Sequence, residues 1–151
     1  MINNKSDVSA KKAFIQSLSQ RGFKAKVAGS PADIIAEKDG ETWYFEIKMT
    51  HQTDTYFGAA TSTEWKQAFA DSKHYRFVIA KANEAETEFE FLEYTPEEFL
   101  EFCTIPPFKV YFNIRLDGIQ KRRKQSGKSK SIPLTRENFK MLETTFSRLT
   151  K

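Results

Sequence analysis

An α/β fold, with a mixed central sheet flanked by helices, is what this sequence predicts, and three observations predict it. Helix-spaced apolar residues open the chain at Val8, Phe14, Ile15 and Leu18. Asp39-Gly40 stands between two extended runs, the strongest short hairpin signal a sequence offers. Helical and extended segments then alternate in the order α-β-β-β-α-β-β-α-β-α.

Residues 7–21, "DVSAKKAFIQSLSQR", read as a helix with Ser6 or Asp7 as N-cap and Gly22 as the C′ residue. "FKAKVA" (23–28) alternates as a strand until Gly29-Ser30-Pro31 breaks it, and the hairpin follows. "MTHQTDTYFGAA" (49–60) is polar and irregular, a loop long enough to be functional. Thr61-Ser62-Thr63-Glu64 has the form of a capping box and opens the helix "TEWKQAFADS". "HYRFVIA" (74–80) is a buried-type strand, and "TEFEFLEY" (87–94) alternates with one exposed face. Thr95-Pro96-Glu97-Glu98 opens a short helix with Pro at its first position. "FKVYFNIRL" (108–116) reads as a further strand. "TRENFKMLETTFSRL" (135–149) follows as a C-terminal helix with Phe139, Leu142, Phe146 and Leu149 on one face.

The 151 residues suit one domain, 1–151, and the 14 Phe supply large side chains for one core. No apolar run approaches a membrane span and the first residues lack a signal-peptide core, so the expected location is cytoplasmic. The single Cys103 excludes an intramolecular disulfide and a Cys-cluster zinc site, and beside Phe102 and Ile105 it reads as a buried small apolar residue. The net charge of +4 is local. Residues 119–131 hold Lys121, Arg122, Arg123, Lys124, Lys128 and Lys130, and without them 18 basic residues face 20 acidic ones. Such a loop has the composition of a phosphate-contacting segment, whose binding weakens steeply with salt. A solvated loop without a ligand has the same composition. Residues 83–102 carry eight Glu and no Lys or Arg, a poor surface for nucleic acid.

The hairpin holds the candidate chemistry. With a two-residue loop at Asp39-Gly40, Glu41 pairs with Lys38, Trp43 with Ala36 and Phe45 with Ile34. Glu46 then lies across from Asp33, with Cβ atoms ~5 Å apart, and the pleat puts Lys48 on the same face. Trp43, Phe45 and Ile47 go to the opposite, core face with Ile34 and Ala36. Two carboxylates that close repel, and one is driven towards its protonated form unless a cation sits between them. Mg²⁺ meets that need, because it takes one or two protein carboxylates, several waters and a substrate phosphate. The carbonyl of Ile47 offers a further oxygen, and Lys48 is placed to orient or deprotonate an attacking water or to balance charge on a phosphate. The same pattern also suits a solvated face on which Lys48 salt-bridges Glu46 or Asp33.

"PADII" followed by "FEIK", between an N-terminal helix and a second helix, resembles the PD-(D/E)xK nuclease superfamily. The resemblance covers about residues 8–80 and extends to "TSTEWKQAFADSKHYRFVIA", which is similar to the stretch after the catalytic Lys in restriction-type and Mrr-like members. It implies a restriction-endonuclease-like α-β-β-β-α-β core and an Mg²⁺-dependent DNA endonuclease that hydrolyses phosphodiester bonds, with Mn²⁺ as a substitute. The role implied would be restriction, defence, repair or junction resolution. Asp33 and Glu46 would be metal ligands, Lys48 the catalytic lysine, and Glu64 and Gln67 the helix positions that approach the site or the DNA. Many members add a Glu on the first helix; here that helix offers Lys11, Lys12 and Gln16, with Asp7 near its start. Many also act as homodimers. Two other readings stay open: a nuclease-fold DNA-binding module without catalysis, and a protein-interaction domain docking through the acidic 84–101 face.

Of the remaining residues, His51 reads as an ordinary loop residue, and Trp65 and Phe69, at i and i+4, as core.

Overall fold

The computed structural model describes residues 5–105 and, beyond them, positions 112, 114, 116, 117, 134–137, 139 and 140. The chain divides into two compact units, Met1–Cys103 and Thr104–Lys151. In the second, the described residues include a helical turn at Arg136, Glu137, Phe139 and Lys140, where the Phe139 N–H donates to the Thr135 carbonyl at 2.9 Å. The strand expected at 108–116 and the body of the helix expected at 135–149 lie mainly outside the described residues. The basic loop 119–131 lies wholly outside them.

The first unit runs α1 (Lys5–Gln20), β1 (Lys24–Val27), β2 (Ile34–Lys38), β3 (Glu41–Thr50), α2 (Ser62–Ala70), β4 (Tyr75–Ala82), β5 (Phe89–Tyr94) and α3 (Pro96–Leu100). The strands form one sheet in the order β1-β2-β3-β4-β5, with β3 and β4 parallel and every other pair antiparallel. This is the mixed α/β architecture the sequence predicts, and it is compatible with a restriction-endonuclease-like core. A parallel pair needs a crossover rather than a tight turn, and the segment 51–61 with α2 supplies it. Among the described residues, no helix is long and apolar enough to cross a membrane.

Hairpin geometry follows from its turn. Asp39 and Gly40 both have positive φ, 53° and 78°, the requirement of a type I′ loop whose twist matches the flanking strands. The resulting register pairs Lys38 with Glu41, Ala36 with Trp43 and Ile34 with Phe45. Helix α1 begins earlier than a cap at Ser6 or Asp7 would place it, so Asp7 lies in its first turn, where the helix dipole favours an acid. Its buried stripe is Ala10, Phe14 and Leu18, at intervals of four, which leaves Val8 53% exposed rather than in the core. Gly22, at φ 87°, ends the helix as expected.

The sheet is covered on both faces, and this positions the site. Towards α1, Phe14 meets Phe45 and Phe91 edge-on at 5.2 and 5.0 Å, over Ile34, Ala36, Ile47, Val78 and Ala80. On the opposite face Tyr75, Phe77 and Ala32 pack with Ala68, Trp65 and Phe99 from α2 and α3. The side of the hairpin that carries Glu46 and Lys48 therefore borders a second core and is not a solvated strand face. Phe69 stacks on Trp65 at 5.5 Å but remains 50% exposed, so only Trp65 of that pair packs against the core. Cys103 is exposed, not buried. It follows α3 where the chain leaves the sheet, and its thiol donates to the Phe99 carbonyl at 3.3 Å.

Candidate functional site

Asp33 sits one residue before β2, in register with Glu46 by continuation of the ladder. Two hydrogen bonds lock them together. The Asp33 N–H donates to Glu46 Oε2 at 3.3 Å, and the Ile47 N–H donates to Asp33 Oδ2 at 2.9 Å. The acidic side chain thus takes the place of a ladder acceptor at the strand's end, which answers why an Asp is tolerated there.

Helix α2 contributes a third carboxylate. Thr61 caps the helix: its hydroxyl accepts from the Glu64 N–H at 3.2 Å, and its own N–H donates back to Glu64 Oε2. This capping box fixes the rotamer of Glu64 and turns its other oxygen to Lys48, whose Nζ lies 3.2 Å from Glu64 Oε1. The pair is 13% and 19% exposed. Lys48 is therefore partnered by Glu64, not by Glu46 or Asp33. Gln67, one turn further along α2, is half-buried, and among the described residues no hydrogen bond ties it to the carboxylates. His51 pairs with Glu86 at 2.8 Å, away from this cluster.

Charge crowding shows in the proton balance. Burial, the neighbouring Asp33 charge and the contact with Glu64 push the Glu46 carboxyl up to about 8. Burial would raise Glu64 as well, but the Thr61 N–H, the contact with Glu46 and the charge of Lys48 outweigh it and hold Glu64 below the ordinary value. At neutral pH the proton of this pair resides on Glu46. Tyr75 is 1% exposed, and among the described residues its hydroxyl has no hydrogen-bond partner. Burial and the fields of Glu46, Glu64 and Asp33 raise its pKa.

Lys11 enters from α1, with Nζ 3.4 Å from Asp33 Oδ1 and 3.0 Å from Asp7 Oδ2. Burial would lower its pKa, but the hydrogen bond to Asp7 and the charges of Asp33 and Asp7 more than offset this. The ammonium form is retained.

Asp33 and Glu46 offer carboxylate oxygens, the donor type that suits a hard cation, with the Lys11 and Lys48 ammoniums at the edge of the cluster. Among the described residues, no group of three or more His, Cys, Asp and Glu side chains is arranged to enclose a metal.

A family model described as "Protein NO VEIN, C-terminal" matches residues 8–92, more than half of the chain. The chain belongs to that family. The region shared with the NO VEIN C-terminal family contains the whole five-stranded sheet but the last two residues of β5, and every residue of the cluster from Lys11 to Glu64. No curated protein and no solved structure matches the chain at a significant level.

Sequence reasoning placed Asp33, Glu46 and Lys48 on one side of the hairpin but missed Lys11 and Tyr75. The i, i+4 pair Asp7–Lys11 was a visible signal for the first, since it marks a lysine held on one face of the helix. For Tyr75 only the parallel pairing of β4 with β3, which the sequence does not specify, brings it beneath the carboxylates.

Proposed function

We propose that this protein is a divalent-cation-dependent deoxyribonuclease of the PD-(D/E)xK kind. The observation that carries the reading is the pairing of Asp33 with Glu46 across the hairpin end, where burial and then the Asp33 charge leave Glu46 holding a proton near neutrality. Asp33, Glu46 and the Ile47 carbonyl would hold Mg²⁺, or Mn²⁺ in its place. Bound there, the ion would supply Lewis-acid charge to a phosphate oxygen and lower the pKa of a water.

The chain's own residues do the rest. Glu46 gives up its proton on ligation. Asp33 is kept in place by the Ile47 N–H, so its orientation does not depend on the ion. Lys48 presents its ammonium on the same side, held by Glu64, to orient the attacking water or to balance charge that builds on the phosphate. The capped start of α2 makes that ammonium's position a property of the fold rather than of a mobile side chain. DNA as the polyanion is supported by the six cations of 121–130, and a homodimer would supply two such sites for cutting two strands.

The test is cleavage of supercoiled plasmid, linear duplex, branched and single-stranded DNA at low salt with Mg²⁺ or Mn²⁺. Metal-dependent cutting is expected, and the best substrate defines the class. Binding without cutting in either metal would replace this reading with that of a nuclease-fold DNA-binding module.

A further inference from the structure

Both oxygens of Asp33 are engaged in the fold. Oδ2 accepts the Ile47 N–H, and Oδ1 faces the Lys11 ammonium. Lys11 is not a surface lysine that happens to lie nearby: its side chain is only 18% exposed and is braced from behind by Asp7, four residues earlier on α1. A cation held between two carboxylates on a rigid helix loses little freedom when it serves as a counter-charge.

We propose that Lys11 is a fixed monovalent counter-ion of Asp33 that restricts the carboxylate cluster to a single divalent cation. The inference rests on the metal-dependent reading above. Once Glu46 has given up its proton on ligation, the four carboxylates of Asp7, Asp33, Glu46 and Glu64 against the ammoniums of Lys11 and Lys48 leave two negative charges, which one divalent ion neutralises. A second ion would have to share Asp33 Oδ1 with an ammonium that repels it. Lys11 is thus a positioning residue: it sets how many ions Asp33 can serve.

The experiment counts Mn²⁺ bound to the full chain by calorimetry without nucleic acid, for wild type, Lys11→Met and Lys11→Glu. One ion is expected in wild type. Lys11→Met should still bind one ion, roughly tenfold tighter, the effect of removing a unit charge about 6 Å from a divalent ion in a water-like dielectric. Lys11→Glu should bind two. Lys11→Met keeps the alkyl stem and decides the matter if Lys11→Glu fails to fold, as circular dichroism would show. Two ions in wild type, or wild-type affinity in Lys11→Met, would overturn the inference while leaving the nuclease reading intact. No Mn²⁺ bound by folded wild type would overturn both.

Discussion

Replacing Glu46 by Gln isolates the electrostatic cost of the site. Gln is neutral at every pH and can still accept from the Asp33 N–H, so the variant mimics the protonated carboxyl. The Glu46 pKa rises from 4.5 to about 8 on folding, through burial first and the Asp33 charge second. A group held protonated by the fold contributes stability that is fully present below its unfolded value, near 4.5, and is lost as pH rises through about 8. Converted at about 1.36 kcal/mol per pH unit, the shift sets an upper bound of about 5 kcal/mol. The site is partly open to water, which screens the interaction, and about 1–2 kcal/mol is the expected size. In urea unfolding with EDTA, Glu46→Gln should match wild type at pH 4.5. At pH 9 its midpoint should be higher by on the order of 1 M. Added Mg²⁺ should narrow that gap by stabilising wild type and not the variant. Parallel stability curves for the two proteins from pH 4.5 to 9 would refute the reasoning, because Glu46 would then titrate normally.

Two further substitutions probe how the site is held. Asp33→Asn keeps an oxygen for the Ile47 N–H whereas Asp33→Ala orphans that part-buried donor, so chemical denaturation should find the Ala variant about 1–3 kcal/mol less stable than the Asn variant. Equal stabilities would mean that water replaces the carboxylate without loss. Thr61→Ala removes the α2 cap at a cost of about 1 kcal/mol, with faster amide exchange in the first turn of α2. If exchange there is unchanged, the cap does not hold Glu64 in place.

Where local chemistry decides geometry, the fold was legible. Asp39-Gly40 set the hairpin register, the capping box at Thr61 formed as the residues indicate, and α3 opens with Pro96 at its first position as expected. The hairpin's register also placed Glu46 beside Asp33 before any tertiary contact was known. What was hidden depends on contacts between segments distant in sequence. The two-sided covering of the sheet, the choice of Glu64 as the partner of Lys48, and the reach of Lys11 to Asp33 all follow from how α1 and α2 dock. Cys103 misled for the same reason, since apolar neighbours in sequence, Phe102 and Ile105, are themselves 68% and 64% exposed. Local composition reports burial only where an element's periodicity turns it inward.

The central claim is that the hairpin end is a cation-dependent phosphodiester-cleaving site, and cleavage by purified variants tests it most directly. Wild type, Glu46→Ala and Lys48→Ala, purified identically, should be compared on plasmid DNA with Mg²⁺, Mn²⁺ or EDTA. The account predicts cutting by wild type with either metal, none with EDTA and none by either variant, while DNA binding by Glu46→Ala is largely retained. Equal cutting by wild type and Glu46→Ala would contradict it.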